Sequence, residues 1–108
     1  MKKSLRVKVY NKYNQHCAYC GVELEYKEMQ VDHLKSKYYG GLDDIDNLMP
    51  SCRKCNNFKN VFSLEQFREE ISLQVERADK YSVNFRTAER FGLIKRIDIS
   101  VIFYFEGV

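Results

Sequence analysis

Cys17-Ala18-Tyr19-Cys20-Gly21 and, further along, Cys52-Arg53-Lys54-Cys55-Asn56-Asn57-Phe58-Lys59 decide how this chain is read. The two CxxC pairs contain all four cysteines of a 108-residue sequence. Two such knuckles supply four soft ligands for a tetrahedral zinc, with bonds of about 2.3 Å. Disulfides belong to oxidising compartments. A thioredoxin-like redox pair needs one CxxC ahead of a helix in a βαβ alternation, which the sequence does not show. The expectation is a structural Zn²⁺ on Cys17, Cys20, Cys52 and Cys55. Gly21 suits the tight backbone turn of a knuckle.

Working outward, residues 1–16 carry Leu5, Val9 and Tyr13 at helical spacing. Met29 and Val31, with Leu24 before them, suggest strands up to His33. Residues 34–46 are polar and contain Gly40-Gly41 and Asp43-Asp44, so they read as a loop. Leu48-Met49 is extended and ends at Pro50, and the second knuckle runs into a helix. Ser63-Leu64-Glu65-Gln66 has the form of a capping box. The helix after it carries Leu64, Phe67, Ile71, Val75 and Ala78 on one stripe. A shorter helix is expected over 84–93. From Ile97 to Phe105, Ile97, Ile99, Val101, Phe103 and Phe105 alternate with mainly polar residues, which predicts a final strand.

Hydrophobic residues make up 44% and charged residues 31% of the chain, which excludes disorder and points to one globular domain. No apolar run approaches the roughly 18 residues of a membrane span. No apolar stretch follows the basic N-terminus, so a cytoplasmic location is expected. Net charge is +3. Lys2, Lys3, Arg6, Lys8 and Lys12 precede Cys17 without an acid among them. Lys35, Lys37, Arg53, Lys54 and Lys59 lie in the middle of the chain. Charge alone reads first as a solvated face.

The stretch between the knuckles adds Val31-Asp32-His33, Gly40-Gly41 and Asn47-Leu48, and the second knuckle continues as Asn56-x-x-Lys59. With these elements in this order, residues 17–60 resemble the HNH endonuclease family, in a variant with asparagine at the third motif position. The resemblance implies an α+β fold: a ββα-metal core with a zinc-ribbon-like four-cysteine site, extended by C-terminal helices and the final strand. It implies a single domain over 1–108, with its core at about 14–62 and an extension at about 63–108.

It also implies an activity, the hydrolysis of DNA phosphodiester bonds. That chemistry needs a base for water and positive charge for the phosphate. His33 is the implied general base, because imidazole titrates near operating pH. Asp32 and Asn56 are the implied ligands of one catalytic divalent metal. Asn47 is implied to pin the loop and orient His33. Lys59, one helical turn beyond Asn56, is placed to reach a phosphate oxygen. Histidine is usual at the third position, and Asn56 there favours Mg²⁺ or Mn²⁺ over softer metals. Asn57 is the alternative ligand.

The plainer readings are a structural His33, turn or cap roles for Asn47 and Asn56, and packing for Tyr19, Tyr38 and Tyr39, which otherwise stack on bases. The implied partner is DNA, double-stranded. The edge of the last strand offers a surface for a homodimer. The setting is a phage or mobile element. The alternative is a non-catalytic zinc-ribbon module that binds nucleic acid without cutting it, and an RNase or toxin nuclease is a third reading.

Overall fold

A computed structural model describes residues 1–108. Its elements run α1 (Lys3–Asn11), β1 (Gln30–His33), β2 (Leu48–Ser51), α2 (Arg53–Lys59), α3 (Leu64–Ser72), α4 (Gln74–Tyr81) and α5 (Val83–Arg90). Short 3-10 turns occupy Lys37–Tyr39, Ile45–Asn47 and Tyr104–Gly107. The fold is mixed α and β, with a two-stranded sheet, five helices and four clustered cysteines, and is consistent with a ββα-metal fold.

The two strands pair antiparallel, with Asp32 opposite Met49 and His33 opposite Leu48. Pro50 lies inside β2, opposite Val31, rather than ending it. An edge strand tolerates proline because one side of its backbone has no ladder to supply. The Pro50 carbonyl accepts the N–H of Ala18 at 2.8 Å, which ties the first knuckle to the sheet. Lys12 of the N-terminal segment donates to the carbonyls of Ile45 (2.6 Å) and Leu48 (2.9 Å), so this cation braces the entry to β2.

The core forms where these pieces meet. Val9 of α1 joins Met29, Leu48 and Met49 in the core, and an aromatic group belongs to the same cluster. Phe67 stacks on Phe103 at 5.2 Å, and both rings meet Tyr19 edge-on, at 5.2 and 5.4 Å. The capping box forms as the sequence indicates: Ser63 accepts from the Gln66 N–H and Gln66 Oε1 accepts from the Ser63 N–H.

Two expectations need correction. The stripe from Leu64 to Ala78 is one helix in the sequence reading but breaks at Leu73 into α3 and α4. Phe67 of α3 is buried, whereas no residue of α4 or α5 is. The expected strand over 97–105 does not form. Ile97 and Ile99 are 70% and 72% exposed. Alternation provides a face but not a partner, and no strand edge lies beside this segment. Its end is instead bonded to the first knuckle: Tyr104 N–H donates to the Tyr19 carbonyl (3.0 Å) and Phe105 N–H to that of Ala18 (2.9 Å). The homodimer expectation rested on that strand and loses its basis.

Candidate active site and metal centre

The Sγ atoms of Cys17, Cys20, Cys52 and Cys55 all lie within 4.8 Å of one another. Cys20 and Cys52 are 3.8 Å apart, the edge of a tetrahedron with bonds of about 2.3 Å, so the donor set fits a metal such as zinc. The first knuckle closes through Gly21 N–H to the Cys17 carbonyl (3.0 Å) and Cys17 N–H to that of Val22 (2.8 Å). Gly21 has φ +79°, a left-handed backbone that glycine adopts without strain. The second knuckle caps α2, where Cys52 Sγ accepts the Cys55 N–H at 3.4 Å. The Cys17 thiol titrates well below the ordinary thiol range. The main cause is a hydrogen bond from the Cys55 thiol, aided by the N–H groups of Cys52, Cys20 and Tyr19 and opposed by burial. The same bond pushes Cys55 upward.

Asp32 and His33 end β1, where the strand meets the loop. Asp32 is 5% exposed. Both of its protein contacts fall on Oδ2: the Tyr19 hydroxyl donates to it, and Lys59 Nζ lies 3.0 Å away. Burial, and then the carboxylate beside it, raise the Tyr19 phenol above its usual range, so it remains a donor. Lys59 also donates to the His33 carbonyl at 2.9 Å.

Lys59 corrects the sequence reading. Its side chain is 0% exposed and committed to Asp32 and His33, so it reaches no phosphate. The helical spacing from Asn56 is right, but that face of α2 turns inward onto β1. An ammonium is buried only when it is paired, and Asp32 provides the pair.

His33 has a side chain 18% exposed, and its Nε2 lies 2.7 Å from Asp43 Oδ1. With Nε2 carrying the proton towards that carboxylate, Nδ1 holds a lone pair and makes no hydrogen bond within the protein. Lys37 Nζ lies 3.4 Å from the other Asp43 oxygen. Asp43 is the residue that the sequence reading missed. In sequence Asp43 reads as a loop residue, but ten positions after His33 in a folded-back loop its carboxylate is in reach of the imidazole.

Asn47 fastens that loop. Its Oδ1 accepts the Lys35 N–H (2.8 Å), and its Nδ2 donates to the carbonyls of Lys35 (3.1 Å) and Leu42 (3.0 Å). Its own carbonyl accepts the Leu34 N–H at 2.9 Å. The glycine pair permits this closure. A Cβ at Gly41 would lie 1.7 Å from the Lys35 carbonyl oxygen, and Gly40 has φ +90°.

Asn56 is half-buried on α2, one turn before Lys59, on the face that packs against β1. Its amide makes no hydrogen bond within the protein. Asn57, the next residue, is exposed. Of the expected site residues, Asp32, His33, Asn47 and Lys59 are therefore linked to one another by direct contacts or through the backbone. Asn56 lies one turn before Lys59 on α2 and makes no hydrogen bond with them.

Residues 17–62 match the family model described as HNH endonuclease. The chain is 32% identical over 63 residues to the SPbeta prophage-derived putative HNH endonuclease YoqL of Bacillus subtilis (strain 168). The alignment covers 51% of this chain and 27% of that protein, so the chain spans about a quarter of its relative's length. No helix is long and apolar enough to cross a membrane.

Proposed function

We propose that residues 17–62 cut DNA by metal-dependent hydrolysis of phosphodiester bonds, with His33 as general base, and that residues 63–108 form an extension of the same domain. The observation that carries this reading is the pairing of His33 Nε2 with Asp43 on a fastened loop beside the buried Asp32. Asp43 fixes the tautomer, so Nδ1 is the ring nitrogen free to take a proton from water. Asn47 holds the loop that carries Asp43 and so limits the wander of the imidazole.

Asp32 and Asn56 would hold the catalytic cation. The Asp32 Oδ1 takes no hydrogen bond from the protein, and the Asn56 amide is equally free, a pair of oxygen donors suited to Mg²⁺ or Mn²⁺. When bound, such an ion stabilises charge on the phosphate and on the leaving oxygen. The cysteine cluster would hold structural Zn²⁺. Lys35 and Lys37, both exposed beside His33, supply phosphate contacts that position the strand without reading sequence. The prophage origin in the relative's name supports a phage or mobile-element setting.

Nicking of supercoiled plasmid with Mg²⁺ or Mn²⁺ tests the proposal, wild type against His33→Ala. Wild type should nick and the variant should be at least about 100-fold slower, since general base catalysis contributes roughly 10²–10⁴. Equal inertness of both across metals overturns the proposal and leaves a four-cysteine module that binds nucleic acid without cutting.

A further inference from the structure

A cleft of about 460 Å³ opens between the loop after β1 and the start of α3, lined by Leu34, Lys35, Ser36 and Tyr39 on one side and by Val61 and Gln66 on the other. Its size lies within the roughly 300–1,000 Å³ of small-ligand pockets. It begins at the residue after His33. Its lining holds a lysine and no acid.

The walls are fixed rather than loose. Asn47 bonds both the N–H and the carbonyl of Lys35. The capping box holds the Gln66 amide by its Oε1, which leaves Nε2 as a donor of set direction with no protein partner. Tyr39 is 60% exposed although it sits in an ordered turn. Its ring meets that of Tyr38 edge-on, at 4.9 Å. An aromatic surface, two apolar side chains, one fixed donor and one cation suit a nucleobase and its phosphate. A base inside a duplex is stacked and paired, and it enters such a cleft only when it is out of the helix.

We propose that this cleft takes an unpaired nucleobase, stacked on Tyr39 and read at its edge by Gln66, so that the preferred substrate is DNA with an unpaired nucleotide beside the scissile phosphate. The inference rests on the nuclease reading above. Tyr39 and Gln66 act as specificity residues, and neither touches the reacting atoms.

The test separates binding from cutting. His33→Ala protein is titrated with a duplex carrying one unpaired 2-aminopurine and with the fully paired control. The bulged duplex should bind about 10-fold more tightly, with its fluorescence quenched by stacking on Tyr39. Tyr39→Ala in that background should abolish the preference, and Tyr39→Phe should keep it. Gln66→Glu keeps the cap acceptor and removes the donor, so it should weaken the preference. Equal affinity for both duplexes, unchanged by Tyr39→Ala, overturns the cleft proposal even where the wild type cuts DNA. Selective binding by a protein that cuts nothing supports the cleft and overturns the nuclease reading.

Discussion

The hydroxyl of Tyr19, a residue inside the first cysteine knuckle, donates to the carboxylate of Asp32, so the metal cluster and the proposed catalytic centre share a hydrogen bond. Tyr19 is held from behind by Phe67 and Phe103. The position of Asp32 is therefore set by the knuckle as much as by its own strand.

Tyr19→Phe removes that one bond and keeps the ring. Loss of a buried hydrogen bond to a charged group should lower stability by about 1–3 kcal/mol. With one restraint gone from Asp32, more Mn²⁺ should be needed for half-maximal cleavage. Chemical denaturation and a metal titration of the cleavage rate check the two effects. Unchanged values in both would deny Tyr19 a role in placing Asp32.

Lys59→Met has a different expected signature from that of a phosphate contact. It leaves Asp32 buried without its cation, which should cost about 3–5 kcal/mol. Because Lys59 does not meet DNA, the dependence of binding on salt should keep its slope, whereas loss of a phosphate contact would reduce it by about one. Affinity measured from low to high salt tells the two apart.

Asp43→Asn tests the orientation of His33. A loss of about 10- to 100-fold in kcat with little change in KM is expected, part of the ~10²–10⁴ that a positioned base supplies. The pH dependence has a fixed sign. The hydrogen bond from His33, and then Lys37, hold Asp43 below the usual carboxylate range. A depressed folded-state pKa means that the contact is complete above the unfolded value and is lost as pH falls through the lower folded one. The wild-type imidazole should keep its Asp43 partner through mildly acidic conditions. An NMR titration of the Asp43 carboxyl reads this directly, and a midpoint at or above the ordinary aspartate value would contradict it.

Removal of the metal should unfold the centre rather than merely silence it. The protein should bind one equivalent of zinc, and a strong chelator should lower the melting temperature. Cys20→Ser should weaken retention, because folding and ligation are coupled at such sites. Zinc analysis and thermal melts in parallel check this. A melting temperature indifferent to chelation would mean that the four sulfurs hold nothing of structural weight.

How much of this was readable from residues alone varied with the kind of signal. The two CxxC pairs, the capping box at Ser63 and the helix after Cys52 were legible because local backbone chemistry sets them. The part of Asn47 in pinning the loop came only through the resemblance, because an asparagine ahead of a short strand reads equally as a turn residue. The final strand was not, because the alternation from Ile97 to Phe105 says nothing about whether an edge is available to pair. Lys59 was misread for a related reason: spacing gives a shared helix face but not which way that face turns. Asp43 was hidden by its setting, as an acid in a polar loop looks like solvation until the loop folds back onto His33.

The bonds from Tyr104 and Phe105 to the first knuckle have a consequence in time. Ribosomes make a chain from its N-terminus, so residues 17–62 exist before the segment that backs Tyr19. Until Phe103 to Phe105 emerge and seat, Tyr19 has one aromatic neighbour instead of three. The order of synthesis thus delivers the backing of Tyr19, the ring that meets Asp32, after the other residues of the proposed centre.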